Sequence, residues 1–185
     1  VQEANHPTIT QERGALFIRN LTNIDTAIFD PSVGIVGASW HVDIELHGQL
    51  DENGFVYDFS AVKKLVRQVM KDSIDHSLVL PVSSKGVDFS ENPRGEHWRL
   101  HVRCKLSNRD DVWEYECPKG AAYPIRCVAI RRDILEQELA RLLKHRLPNT
   151  VSDLKISLRE ESAEVTAAFF RYTHGITRHD GLCQR

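Results

Sequence analysis

Apolar and polar positions alternate most cleanly from Ser39 to Leu50. Trp40, Val42, Ile44 and Leu46 fall on one side, and His41, Asp43, Glu45 and His47 on the other. A two-residue period of this kind predicts a strand with one buried face. Ala15–Asp25 alternates less regularly and predicts an earlier strand, ended by Ile28-Phe29-Asp30-Pro31, with Pro31 and Gly34 in the following loop. Residues 1–14 are polar and without period and read as a tail or extended arm. Asp51-Glu52-Asn53-Gly54 predicts a turn, with Phe55–Phe59 after it. From Ser60 to about Asp72 the period lengthens to that of a helix. Val62, Leu65, Val66, Val69 and Met70 form its apolar stripe, and Asp58 or Ser60 stands where a cap is needed. Val79-Leu80-Pro81 closes this segment.

Alternation resumes at His97–Leu106 and Val112–Cys117, two strands with Asn108-Arg109-Asp110-Asp111 as their hairpin loop. A second helix is predicted from Asp133 to about Arg146, with Ile134, Leu135, Leu139, Leu142 and Leu143 inward and Pro148 as its stop. Leu154–Leu158 reads as a further strand, and the apolar run Ala163–Tyr172 as another. The order is strand, strand, helix, two strands, helix, strand, strand. Strand pairs joined by short turns favour an α+β fold, an antiparallel sheet with both helices on one face. A doubly wound parallel sheet needs a helix after nearly every strand, and that is absent.

Composition narrows the class. The 185 residues carry 24 Lys+Arg against 26 Asp+Glu, a formal charge of −2. That balance excludes a strongly basic nucleic-acid binder. With 41% hydrophobic and 27% charged residues the chain reads as globular and not as disordered. Its apolar runs are too short for a membrane span. The four cysteines, Cys104, Cys117, Cys127 and Cys183, contain no Cys-x-x-Cys pair, and no apolar leader follows the N-terminus. Reduced thiols in a cytoplasm are the expectation.

Several residues have the chemistry of a site. Asp75-His76 lies just past the first helix, where a carboxylate can fix the tautomer of an imidazole and raise its basicity. The plain alternative is a histidine held by the helix dipole. Glu160-Glu161 follows a strand, and a carboxylate there can clamp a guanidine-like edge with two hydrogen bonds, or simply be solvated. The stretch Thr173–Arg185 holds His174, His179 and Cys183, residue types that ligate zinc, and Cys183 is a candidate thiolate nucleophile. A polar chain end is the alternative. His41 with His47, and His97 with His101, share faces of their strands and read as solvated.

The run Trp40–Phe59 resembles the second strand, turn and Gly-x-x-x-Asp-Phe signature of the 6-pyruvoyl-tetrahydropterin synthase and 6-carboxytetrahydropterin synthase family, here Gly54 and Asp58-Phe59. The helix from Ser60, the pair Asp75-His76, the helix from Asp133 and the strand ending in Glu160 continue it. The resemblance spans residues 15–161, with insertions between Leu80 and Arg131. It implies the T-fold, or tunnelling fold, in which units assemble into barrels, so a homo-oligomer is expected. It also implies a zinc-dependent lyase acting on a pterin, 7,8-dihydroneopterin triphosphate, by proton transfer, with no nucleic-acid or membrane partner. The 6-carboxytetrahydropterin branch supplies modified nucleosides of the queuosine type.

Residue by residue, the resemblance makes Asp75 and His76 catalytic and Glu160 the grip on the pterin ring. It also shows a departure: the positions of the family's zinc-binding His-x-His are Val36 and Ala38. Residues 162–185 resemble the start of a second unit, in which His174 matches the first zinc histidine and Cys183 the catalytic cysteine. The expectation is a tandem arrangement: a tail at 1–14, a first unit at 15–161 and the beginning of a second at 162–185. A pterin-binding or scaffolding T-fold that has lost its zinc is the alternative. The second helix also begins at Cys127–Arg132 without the threonines that the family often has there.

Overall fold

The computed structural model describes residues 12–91, 95, 97–106 and 109–161. Its strands are β1 (Arg13–Asp30), β2 (Gly34–Gln49), β3 (Leu78–Pro81), β4 (Val87–Glu91), β5 (His97–Leu106), β6 (Arg109–Pro118), β7 (Ala122–Ile125) and β8 (Val151–Glu160). Helix α1 (Phe59–Lys71) follows β2, and α2 (Arg132–Lys144) precedes β8. Five strands form the main sheet in the order β7-β3-β1-β2-β8. The inserted segment forms a second sheet, β4-β5-β6.

The α+β class and the two helices are as expected. The main sheet is antiparallel through β1, β2 and β8, while β3 and β7 join it in parallel. Val79-Leu80-Pro81, read as the close of a helical segment, is therefore a strand. β4 and β7 were not predicted at all. Pro124 breaks the strand pattern of Ala122–Ile125, and it is tolerated because β7 is the edge of its sheet.

The first hairpin is longer than its alternation suggests. β1 starts at Arg13, inside the stretch read as a tail, because Arg13 and Gly14 pair with Gln49 and Gly48. It runs on through Ile28-Phe29-Asp30, and the turn is confined to residues 31–33. The β5–β6 hairpin is tighter than predicted, with Leu106 paired to Arg109.

Helices and small sheet cover opposite faces of the main sheet. Trp40, Val42, Ile44, Leu46, Ile156 and Leu158 pack under the helices, against Val62, Val66, Val69, Leu135, Leu139 and Leu143. On the other face, Ala27, Phe29, Leu78 and Leu80 pack against Val87, Leu100, Val102 and Cys117 of the small sheet. Residues 24–29 of β1 and all of β3 are thus buried on both sides, which is why neither alternates.

The family-like signature has a structural role of its own. Gly54 takes φ 80° in the turn after β2, a backbone region that L side chains rarely adopt. Asp58 is the N-cap of α1, its carboxylate accepting the Ala61 N–H at 2.6 Å. Asp58→Ala is expected to cost about 1 kcal/mol of stability, read from the shift in urea midpoint at unchanged slope.

At α2, Glu138 accepts from Arg141 at 2.6 and 2.8 Å and from the Tyr123 hydroxyl at 2.7 Å. The Arg141 bonds hold its carboxyl below the ordinary 4.5, against the opposing effect of burial. A depressed folded-state pKa stabilises above the unfolded value, and that contribution is lost as pH falls through the folded one. Stability of Glu138→Gln should therefore vary less with pH below about 4.5 than wild type does, in denaturation curves taken down that range.

Candidate functional site

Asp75 and His76 sit in the connection that leaves α1 and enters the sheet as β3. Several bonds hold this connection. The Asp75 N–H donates to the Met70 carbonyl at 3.0 Å, and Ser73 Oγ donates to the Val69 carbonyl at 2.6 Å. Ile74 is fully buried in the helix-side core, and Thr26 Oγ1 donates to the Ser77 carbonyl at 2.6 Å. Between these anchors, His76 adopts φ 59°, left-handed backbone. Its N–H donates to the Asp25 carbonyl at 2.7 Å, and the Asp25 N–H donates to Asp75 Oδ1 at 3.1 Å. The second carboxylate oxygen, Asp75 Oδ2, stands 3.8 Å from His76 Nε2, an ion-pair separation and not a hydrogen bond. The imidazole is about half exposed (53%), while Asp75 is largely covered (21%).

Glu160 ends β8 opposite Trp40, and the next residue, Glu161, donates its N–H to the Ser39 carbonyl at 3.1 Å. Ser39 is paired with Asp25. The pair and Glu160 are therefore brought to the same end of the main sheet, but β1 and β2 lie between β3 and β8. Three strand spacings separate them, about 14 Å. One chain does not close Asp75-His76 and Glu160 around a single small molecule.

The predicted zinc positions carry no ligand. Val36 pairs with Ile28 and Ala38 with Thr26. Among the described residues no three of His, Cys, Asp and Glu gather as a metal cluster. His174 and Cys183 lie outside the described residues. Burial pushes the Cys117 thiol up to about 11 and raises Cys127 as well, so neither is a thiolate near neutral pH.

The outer-face histidines have polar neighbours. His41 Nδ1 lies 2.8 Å from Asn23 Oδ1, and His47 Nε2 lies 2.8 Å from Glu45 Oε1. Nearby, Arg159 holds both oxygens of Asp43 at 2.8 and 3.1 Å and also reaches Asn20 Oδ1. That guanidinium keeps the Asp43 carboxyl below its usual range. A groove of about 330 Å³ on this face, lined by Phe17, Arg19, Asp43, Glu45 and Lys155 among others, contains none of the predicted site residues.

Two residues of the site were not foreseen. Asp25 is 7% exposed and accepts from Ser39 Oγ at 2.6 Å. The available signal was an acidic residue inside the apolar run Ile24–Phe29, which a one-sided strand pattern cannot distinguish from a solvent-facing position.

An α+β unit with two helices on one face of a β1–β2–β8 antiparallel core is the T-fold, and it is shared with solved pterin-synthase structures. The 6-pyruvoyl tetrahydropterin synthase of Plasmodium falciparum matches with a TM-score of 0.61 at 18% identity, over 80% of this chain and 91% of that one. A Plasmodium vivax 6-pyruvoyltetrahydropterin synthase with a catalytic glutamate changed to alanine matches at 0.51 and 22% identity, over 81% and 99%. No curated protein sequence matches. A family model described as 6-pyruvoyl tetrahydropterin synthase matches residues 30–110, and that stretch, which holds β2, α1 and Asp75-His76, belongs to the 6-pyruvoyl tetrahydropterin synthase family.

Proposed function

We propose that the protein is a pterin-transforming lyase of the 6-carboxytetrahydropterin synthase type, acting on 7,8-dihydroneopterin triphosphate. The observation that carries this reading is the backbone of His76. A left-handed residue other than glycine costs roughly 1–2 kcal/mol. Histidine tolerates the region better than most residues, yet glycine or asparagine would sit there at less cost. Local strain of this kind concentrates at functional positions. Here it turns an exposed imidazole out beside a carboxylate that the Asp25 N–H has already oriented.

In the proposed reaction His76 moves protons at the carbon side chain of the pterin. Asp75 fixes the imidazole and stabilises its charged form. Cys183 is the partner thiolate, and Glu160 takes the guanidine-like edge of the ring. The 14 Å between Glu160 and the pair supports a site completed by a neighbouring unit, hence a homo-oligomer. His174 remains the one proposed zinc ligand. The described residues do not fit a zinc site, and no step here passes through the metal.

Val36 and Ala38 favour a second reading, a T-fold that binds a pterin without transforming it. Incubating the complete protein with 7,8-dihydroneopterin triphosphate separates the two. Release of triphosphate with a changed pterin product is the expected result. Saturable binding of the unaltered pterin, with no product after long incubation, would support the second reading.

A further inference from the structure

Asp25 is the one ionisable side chain among the buried polar residues described. Burying a carboxylate is costly unless its oxygens are paired, and Ser39 Oγ supplies a short bond of 2.6 Å. A strand that needed only to pack would carry an apolar or small residue here, as Ala27 and Phe29 do on the same face.

The surroundings suggest what Asp25 is for. Its N–H holds the Asp75 carboxylate and its carbonyl holds the His76 N–H. Its own carboxylate ties β1 to β2 at Ser39, whose carbonyl in turn holds Glu161, next to Glu160. One hydrogen-bonded row therefore crosses the sheet: Asp75, Asp25, Ser39, Glu161.

We propose that Asp25 is a positioning residue, which through Ser39 fixes the place of the Asp75-His76 pair relative to the Glu160 end of β8. The proposal rests on the reading of Asp75-His76 as the proton-transfer pair. Its mechanism is geometric. Without the bond between Asp25 and Ser39, β1 can shift against β2, and the pair it carries shifts too. Misplacement of catalytic groups by about 1 Å can lower rates by about a hundredfold.

Three substitutions in the complete protein test this. Asp25→Ala and Ser39→Ala each remove the bond, while Asp25→Asn keeps an acceptor for Ser39 in the same shape. Expected are losses in kcat of about 10- to 100-fold for both alanine variants at nearly unchanged KM. The double variant should be no worse than Asp25→Ala alone, since both changes remove one bond, and Asp25→Asn should stay within a few-fold of wild type.

The proposal is overturned if Ser39→Ala, folded by circular dichroism, turns over at the wild-type rate. It is also overturned if Asp25→Asn loses as much as Asp25→Ala, because charge and not the bond would then matter. Ser39→Ala and Asp25→Asn decide the matter even where Asp25→Ala does not fold. His76→Ala is run beside them. Wild-type turnover in His76→Ala sinks the reading of the pair itself, whereas its inactivity with an unaffected Ser39→Ala sinks only the role of Asp25.

Discussion

His76→Gly should leave the protein at least as stable as wild type and remove its turnover. The two halves of this expectation have different origins. Glycine relieves the left-handed backbone at φ 59°, a relief of roughly 1–2 kcal/mol. Its greater entropy in the unfolded chain takes back about 0.5–1 kcal/mol. The imidazole contributes no core packing to offset this, being about half exposed. A net gain between about zero and 1 kcal/mol is expected in urea denaturation. Turnover of the pterin should fall by about 10²–10⁴, the usual worth of a positioned acid–base group. A variant that loses 2 kcal/mol or more, or keeps its turnover, contradicts the view that His76 is held in place for chemistry at the expense of stability.

Phe29→Ala should destabilise the fold by about 3–5 kcal/mol. Phe29 is fully buried at the junction of the two sheets and meets Trp113 edge-on, with ring centroids 6.0 Å apart. It belongs to the cluster that fastens the inserted β4-β5-β6 sheet to β1 and β3. A cavity there loosens both layers, and the small sheet has little else to hold it. Chemical denaturation gives the magnitude, and amide exchange should show β4–β6 losing protection before the helix-side core does. A cost below 1 kcal/mol would mean that the small sheet does not pack as described.

Where one face of an element is buried and the other wet, the sequence was readable. β2 alternates along its length because helices cover Trp40, Val42, Ile44 and Leu46 while His41, Asp43, Glu45 and His47 face out. Both helices followed from their apolar spacing for the same reason. Where two layers cover a strand, alternation vanishes. Residues 24–29 and β3 were accordingly misread as a strand end and a terminating segment. β4 and β7 were too short, and β7 too proline-marked, to register.

Of the candidate site, Asp75 and His76 were legible as a carboxylate beside an imidazole past a helix. Their support by Asp25 and Ser39 was not, since it depends on β1 and β3 meeting in parallel, a pairing that neither local pattern encodes. Glu160 was found at a strand end, but its distance from the pair is a property of strand order and is invisible in the chain.

The measurement that bears most directly on the central claim is turnover of 7,8-dihydroneopterin triphosphate by the complete protein and by its His76→Ala, Cys183→Ala and doubly substituted forms. Each single change should lower the rate by about 10²–10⁴ with the fold intact. The double change should cost little more than the worse single one, because groups that act as a unit are not additive. Wild-type turnover by Cys183→Ala or by His76→Ala would contradict the account.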